Sequence, residues 1–271
     1  YSNGLFYTDG CGNDINFTAG IALNSVNSSF TDIHINTPDY MTWVEISEIY
    51  NAGWNIYNHS YSHAAWGQTD YQFQVEENNS YVYTKTGIEM RHFVIPSGDI
   101  AYSDVAFNYG MLAIYSNKTE FSSSPSGIDI DGNYNTHQPQ IYRRFLNDDD
   151  YDISNISYQI DQIANNTNEN NHISYSEFTH RIINQVTGGS LIWSTFEFYM
   201  NDIANKYGKD GQDNIWFTGM ENVLDYLMVR EGTDLNFILD GNIAYIYLDF
   251  AEVHADIPHY DLSININSDV E

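Results

Sequence analysis

Short apolar runs alternate, over most of the chain, with segments whose apolar residues recur every three or four positions. The runs predict strands, and the three-and-four spacing predicts amphipathic helices. The predicted strands are residues 5–8, 54–57, 90–95, 111–115, 172–178 and 215–218, and the predicted helices are residues 38–52, 103–109, 153–164, 196–207 and 220–231. Strands that alternate with helices indicate a mainly parallel α/β sheet or a (β/α) barrel.

The pattern changes after Gly232. Residues 235–239 and 243–250 are apolar runs joined by Asp-Gly-Asn, which predicts a β-hairpin, and residues 261–267 alternate apolar and polar positions. We therefore predict two domains. Residues 1–232 form the α/β domain, and residues 233–271 form a small β appendage or part of a β module.

The net charge of the chain limits the classes of molecule that it is expected to bind. The chain has 271 residues, of which 42% are hydrophobic, so it is predicted to be globular. Lys and Arg total 9 against 37 Asp and Glu, a net charge of −28, which disfavours nucleic acid and anionic membranes but tolerates neutral or cationic ligands such as amino sugars. No apolar run approaches the roughly 20 residues of a membrane span. The oligomeric state is not indicated by the sequence.

The location is predicted from weaker features. Tyr1 is not a natural start, so we expect that an export signal has been removed and that the protein is secreted or on the cell surface. We interpret the Asn-x-Ser/Thr sequons, one of which contains Asn58, as a result of Asn richness, which favours a bacterial source. The single cysteine, Cys11, excludes an internal disulfide framework and a multi-cysteine zinc site.

Candidate chemistry lies where predicted strands end, since ligands of parallel α/β folds bind at the carboxyl ends of strands. Two histidines four residues apart, His59 and His63, can bind one divalent metal ion from one turn of chain, although two ordinary surface histidines have the same spacing. A third ligand is then needed, and Asp9 is the natural carboxylate. Its alternative role is that of a turn residue before Gly10.

The segment Gly-Trp-Asn-Ile-Tyr-Asn-His-Ser-Tyr-Ser-His at 53–63 resembles the second motif of the polysaccharide deacetylases, the NodB-homology group known as carbohydrate esterase family 4. Residues 6–10 (Phe-Tyr-Thr-Asp-Gly) resemble the first motif, Thr-Phe-Asp-Asp-Gly. Residues 93–98 resemble the third motif and residues 178–180 the fifth. The resemblance extends over about residues 3–231, and the second motif is its specific part.

The resemblance implies a distorted (β/α) barrel and a metal-dependent hydrolase that removes acetyl groups from an N- or O-acetylated carbohydrate. It implies Zn²⁺, with Co²⁺, Ni²⁺ or Mn²⁺ as alternatives, held by Asp9, His59 and His63. His180 would be the general acid that protonates the leaving group. The predicted substrate-binding residues are Tyr7, Tyr61, Trp66 and Ser97, and each of the aromatic rings has core packing as its alternative role.

The sequence departs from the family at the catalytic base. If Asp9 is the metal ligand, Thr8 stands in place of the base, and a shifted register would make Asp9 the base and remove the ligand. Val94 replaces the Arg that orients the base, and Asp14 is the nearest replacement base, or else a solvated loop acid. We therefore expect weakened hydrolysis. The alternative is a catalytically inactive glycan-binding or cell-surface protein.

Overall fold

The structure is a computed structural model that describes residues 4–35, 37–67, 70–117, 128–129, 140–146, 160–161, 164–165, 173–174, 176–184, 189–258, 262 and 264. Its strands are β1 (Phe6–Thr8), β2 (Asp14–Asn16), β3 (Gly20–Leu23), β4 (Asn55–Asn58), β5 (His92–Val94), β6 (Ala113–Ser116), β7 (Ile128–Asp129), β8 (Gln140–Tyr142), β9 (Arg144–Phe145), β10 (Ile173–Ser174), β11 (Glu177–Phe178), β12 (Ile182–Ile183), β13 (Leu191–Ile192), β14 (Asp234–Asp240) and β15 (Ile243–Asp249). Its helices are α1 (Trp43–Asn51), α2 (Tyr71–Thr86), α3 (Tyr102–Tyr109), α4 (Trp193–Tyr207) and α5 (Met220–Gly232), with a 3₁₀ turn at Pro96–Gly98. The chain divides into two compact units, Tyr1–Gly219 and Met220–Glu271.

A five-stranded parallel sheet, in the order β3-β4-β5-β6-β8, organises the first unit. One face carries apolar side chains that pack against the helices. Phe93 and Ile114 contact Val75 of α2 and Tyr102 of α3 in one cluster of buried residues. The predicted mixed α/β class with a parallel sheet is therefore confirmed, and closure of the sheet into a barrel stays a prediction.

The opposite face of the sheet carries polar and aromatic side chains. The rings of Tyr57 and His92 stack at 6.2 Å, and the rings of Tyr57 and Tyr115 lie 5.3 Å apart. Nδ1 of His92 is hydrogen-bonded to the Tyr115 hydroxyl at 2.5 Å. Gly20 admits this packing, because a Cβ built there would lie 2.1 Å from the Tyr57 ring.

Helix α1 begins later than predicted. The pattern indicated residues 38–52 with Thr37 as the cap, whereas the helix runs from Trp43 to Asn51. The reason is a capping box, in which the Thr42 hydroxyl accepts from the amide of Glu45 and the Glu45 carboxylate accepts from the amide of Thr42. Those two bonds satisfy two amide groups at the start of the helix that have no intrahelical partner.

Helix α2 was not predicted at all. Two of its buried residues, Gln74 and Asn78, are polar, so the sequence lacks the apolar spacing that predicts a helix. Its ends do carry recognisable signals, since Asp70 caps the amino end and Gly87 follows the last turn with a φ of 75°.

Other boundaries differ between Ile160 and Gly219. No strand forms over residues 215–218, although the amide of Thr18 donates a hydrogen bond to the Phe217 carbonyl in that segment. The predicted strand 172–178 consists of β10 and β11. Most of the predicted helix 153–164 lies outside the described residues.

In the second unit, α5 is followed by the antiparallel hairpin of β14 and β15. Its two-residue loop places Gly241 at a φ of 62°, which a type II′ turn requires at its first position. Val229, Val253 and Ile257 form a small buried cluster. The predicted domain boundary at residue 232 stays a prediction. Among the described residues, no helix is both long and apolar enough to cross a membrane.

Candidate functional site

The histidine pair lies in the loop that follows β4. The rings of His59 and His63 are 4.7 Å apart between centroids and nearly perpendicular. Nδ1 of His59 lies 2.8 Å from the carbonyl oxygen of Val94. Because a carbonyl only accepts, Nδ1 carries the proton and the lone pair of Nε2 stays available, which is the arrangement typical of metal-binding histidines.

Burial keeps these rings neutral. Burial, together with the neighbouring His63, lowers the pKa of His59 to about 3. Burial also lowers the pKa of His63, while a hydrogen bond from its ring to its own carbonyl opposes the shift. At pH 7 both imidazoles therefore carry a lone pair for a metal ion or for a proton.

The loop is held by Asn58, whose side chain is completely buried. Its amide nitrogen donates to the Val75 carbonyl and to Oδ1 of Asn79, each at 2.9 Å. Its oxygen accepts from the amide of Ser60 and from Nδ2 of Asn78, also at 2.9 Å. The polar side chains of α2, which made this helix hard to predict from the sequence, therefore position the histidine loop.

The backbone of the same loop is strained. Ser60, His63 and Trp66 have φ values of 65°, 56° and 66°, a region that residues other than glycine rarely adopt. Asp99 restrains the far end of the loop, since its Oδ2 accepts from the Trp66 amide at 2.6 Å and from the Tyr71 hydroxyl at 2.7 Å. The strain is therefore offset by contacts outside the loop.

Asp9, the predicted third ligand, lies in a different setting. Its Oδ1 accepts from the amides of Cys11 and Asn13 at 2.9 and 2.8 Å, and its Oδ2 accepts from Nδ2 of Asn13 at 3.0 Å. The hydrogen bonds from Asn13 lower the pKa of the carboxyl group. The structure does not bring this carboxylate to the histidine pair, and its role as a ligand stays a prediction.

Two polar residues near Asp9, Thr8 and Asp14, also form interactions with distant parts of the chain. Strand β1 pairs with β2 in a separate antiparallel ladder rather than in the five-stranded sheet. The amide of Thr8 donates to Asp213 at 2.8 Å. Asp14, the candidate replacement base, forms an exposed ion pair with Lys209. The structure does not bring Asp14 to the histidines, so its catalytic role also stays a prediction.

One of the two strands that pair with β4 is β3, which the sequence analysis missed. Its last residue, Leu23, accepts a hydrogen bond from the amide of His59 at 3.0 Å. The residues that follow are Asn24 and Ser25, and the Ser25 hydroxyl donates to Oδ1 of Asn78 at 2.7 Å. The signal available in the sequence was the short apolar run of residues 20–23 before this polar pair.

His180 follows β11 and lies against two aromatic rings. Its ring centroid is 4.9 Å from that of Phe145 and 5.6 Å from that of Phe178. Burial lowers its pKa, opposed by a hydrogen bond to the Gly189 carbonyl. Its charge lowers the pKa of both His59 and His63, so the three histidines share one electrostatic environment.

Arg143 is a site residue that the sequence analysis did not select. Its guanidinium lies over the Phe178 ring at 4.2 Å, and its charge lowers the pKa of both His59 and His180. Burial lowers its own pKa to about 10, which leaves it charged at neutral pH. In the sequence it lies shortly before an acidic segment, residues 148–150, and that segment is outside the described residues.

The predicted substrate-binding residues are spread over different settings. Tyr61 is buried with its ring 5.8 Å from Phe73, and Tyr7 packs near Phe17, so both contribute to the packing of the core. Trp66, in the histidine loop, is 62% exposed. Ser97 lies in the 3₁₀ turn with a φ of 54°. Their roles in binding stay predictions.

A divalent metal ion fits this chemistry in part. His59 and His63 provide two neutral nitrogen donors, which suits zinc and similar ions. Within the described ranges, no group of three His, Cys, Asp or Glu side chains has a geometry that could hold a metal ion. The two predicted histidine ligands therefore lie together, and the complete metal site stays a prediction.

The segment of the chain that contains the histidine loop also matches a known protein family. Residues 19–112 match the family model for polysaccharide deacetylase. Residues 19–112 belong to the polysaccharide deacetylase family. The match begins at β3 and contains the histidine loop, whereas residues 6–10 and His180 lie outside it. The predicted family is thus confirmed. No curated protein matches the chain.

Several solved structures resemble the chain. A CE4 family pseudoenzyme from Bacillus anthracis is 13% identical with a TM-score of 0.45, over 77% of this chain and 56% of that protein. The Streptococcus pyogenes deacetylase PplD in complex with acetate is 13% identical with a TM-score of 0.32, over 41% and 48%. A family 4 acetyl xylan esterase from Clostridium thermocellum with a cobalt ion is 18% identical with a TM-score of 0.27, over 41% and 51%. The chain thus spans about half the length of these proteins.

Proposed function

We propose that the protein is a metal-dependent hydrolase that removes acetyl groups from an N- or O-acetylated carbohydrate at a reduced rate. The observation that supports this function is the neutral histidine pair, in which His59 has one ring nitrogen committed to a carbonyl and the other available. The family of residues 19–112 supports a carbohydrate as the substrate class.

The residues that would hold the metal ion are His59 and His63. Asp9, the third ligand predicted from the sequence, accepts hydrogen bonds within its own loop instead. A divalent ion bound there supplies a Lewis acid for the acetyl carbonyl. His180 is assigned to proton delivery. Its lowered pKa makes the protonated ring a stronger acid toward the leaving amine or alcohol. Zn²⁺ is the proposed ion, with Co²⁺, Ni²⁺ and Mn²⁺ as alternatives.

Sugar binding is assigned to the exposed face of Trp66, because aromatic faces stack on the apolar faces of sugar rings. Ser97, whose strained turn lies beside Asp99, is a candidate hydrogen-bonding group. An extracellular polysaccharide is the natural substrate for such a site, so we propose a secreted or cell-surface protein.

A second candidate function is glycan binding without hydrolysis. The observation that favours it is the pair Asn24 and Ser25 at the end of β3, beside His59. Neither an amide nor a hydroxyl is an effective general base at neutral pH, and the buried Ser25 hydroxyl already donates to Oδ1 of Asn78. The two candidates differ in one measurable property, the release of acetate.

The test is acetate release from acetylated chitin, xylan and peptidoglycan fragments after metal stripping and reloading with Zn²⁺, Co²⁺ or Ni²⁺. Hydrolysis predicts metal-dependent release that falls about 10²–10⁴-fold in His180→Ala, the usual value of general acid–base help. His59→Ala should also lose bound metal. The matched control is His254→Ala, which removes an exposed histidine.

Two results would contradict this proposal, the first its hydrolytic activity and the second its metal site. Release by the reloaded protein that equals release by the stripped protein on all three substrates would leave glycan binding as the function. Metal content that is unchanged in His59→Ala would reject the histidine pair as the metal site.

A further inference from the structure

A partly buried cation, for which the described residues supply no counter-ion, lies near His59 and His180 and lowers the pKa of both. The Nε of Arg143 is enclosed by protein and has no hydrogen-bond partner in the part of the chain that the structure describes. The backbone amide of Arg143 donates to the carbonyl of Ser116, the last residue of β6, at 2.7 Å. This bond fixes the backbone of Arg143 beside β6. Its guanidinium rests on the Phe178 ring at 4.2 Å.

No group among the described residues neutralises this guanidinium. Within the part of the chain that the structure describes, no carboxylate lies within ion-pair distance of Arg143. The groups that sense its charge are His59 and His180, together with the phenols Tyr57 and Tyr115. Neutral rings and phenols do not offset a positive charge, and an unpaired buried charge is strongly unfavourable.

We propose that Arg143 binds a carboxylate carried by the sugar ligand, so that the site recognises a short acidic saccharide. The planar fork of a guanidinium matches the two oxygens of a carboxylate. Stacking on Phe178 fixes the plane of that fork. The neutral rings of His59 and His180, whose pKa Arg143 lowers, provide further hydrogen-bonding atoms for such a sugar. This assignment holds whether the bound sugar is hydrolysed or only bound.

The assignment reverses the expectation from overall charge. A net charge of −28 repels anions at a distance, so a long polyanionic chain is disfavoured. Salt screens that field beyond about 8 Å at physiological ionic strength, whereas a contact with a buried cation is screened much less. The ligand that satisfies both conditions carries one carboxylate near Arg143 and few other charges.

The experiment compares methyl glucuronide with methyl glucoside, which differ by a carboxylate in place of a hydroxymethyl group. Binding is measured by calorimetry on the wild type, Arg143→Gln, Arg143→Lys and the control Arg181→Gln. Arg181 is exposed and also acts on His180, so its variant removes a nearby charge without removing the buried one. Free acetate is titrated in parallel.

We expect the wild type to bind the glucuronide roughly 10- to 100-fold more tightly than the glucoside, the usual effect of a charge-assisted hydrogen bond. Arg143→Gln should abolish the difference, Arg143→Lys should keep part of it, and Arg181→Gln should keep nearly all of it. Circular dichroism and thermal melting establish that Arg143→Gln is folded, and if it is not, the decision rests on Arg143→Lys.

Equal affinity of the wild type for both glycosides would overturn the proposal. So would an equal loss of discrimination in Arg181→Gln and Arg143→Gln, since the effect would then be one of general charge. Acetate that binds as tightly as the glucuronide would also overturn it, because the site would then serve free carboxylates rather than an acidic sugar.

Discussion

Two polar loops, each after a short strand, were predicted to supply metal ligands, and they differ in what holds them. In the Asp9 loop the carboxylate itself fixes the loop by accepting three hydrogen bonds from Cys11 and Asn13. In the histidine loop that task falls to Asn58 and Asp99, so the imidazoles keep a nitrogen free. A side chain is available for chemistry only where other groups hold the backbone.

The largest effect is expected at Asn58. The substitution Asn58→Ala removes four hydrogen bonds in a fully buried setting and leaves their partners unsatisfied. We expect a loss of about 3–5 kcal/mol in the free energy of unfolding, measured by urea denaturation. The control is Asn27→Ala, which removes exposed bonds to the amides of Ser29 and Thr31 and should cost less than about 1 kcal/mol. Equal losses would show that the network does not hold the loop.

The next effect is a dependence of stability on pH that originates at His59. Its folded pKa of about 3 lies below its ordinary value of 6.5, so the unfolded chain binds the proton more readily between those values. The stability that comes from the neutral ring is complete above pH 6.5 and is lost as the pH falls toward 3. The free energy of unfolding, measured by urea denaturation at several pH values in this range, should change less steeply with pH in His59→Gln than in the wild type. A slope that is unchanged would mean that the ring is not held neutral by burial.

Trp66 provides a smaller test of strain in the histidine loop. Glycine adopts its φ of 66° without steric cost, so Trp66→Gly should raise the free energy of unfolding by about 1 kcal/mol. The exposed ring contributes little to the core, and sugar binding should weaken. A stabilised variant that still binds sugar fully would remove Trp66 from the binding residues.

The smallest effect is expected at Asp9. The substitution Asp9→Asn should shift the amide resonances of Cys11 and Asn13 in NMR spectra and leave the metal content unchanged, because the carboxylate is committed to its own loop. Metal content that falls as far as in His59→Ala would instead establish Asp9 as the third ligand and would require a rearranged loop.

The sequence predicted the features that depend on local pattern. The apolar strands, the histidine spacing and the family all follow from residues that are adjacent or four apart. Helix α2 could not be predicted, because the value of burying Gln74 and Asn78 depends on partners such as Ser62 and Asn58 that are distant in the chain. Arg143 was ambiguous for the same reason, since only the fold shows which groups face its charge.

The hairpin of β14 and β15 has a consequence for the colloidal behaviour of the protein. Leu235, Phe237 and Leu239 are each more than half exposed and share a face with Ile246 of the second strand. Such a patch attracts other apolar surfaces, while the net charge of −28 keeps molecules apart. Added salt screens the repulsion and leaves the attraction, so the second virial coefficient should turn from positive to negative as ionic strength rises. Phe237→Lys should delay that change.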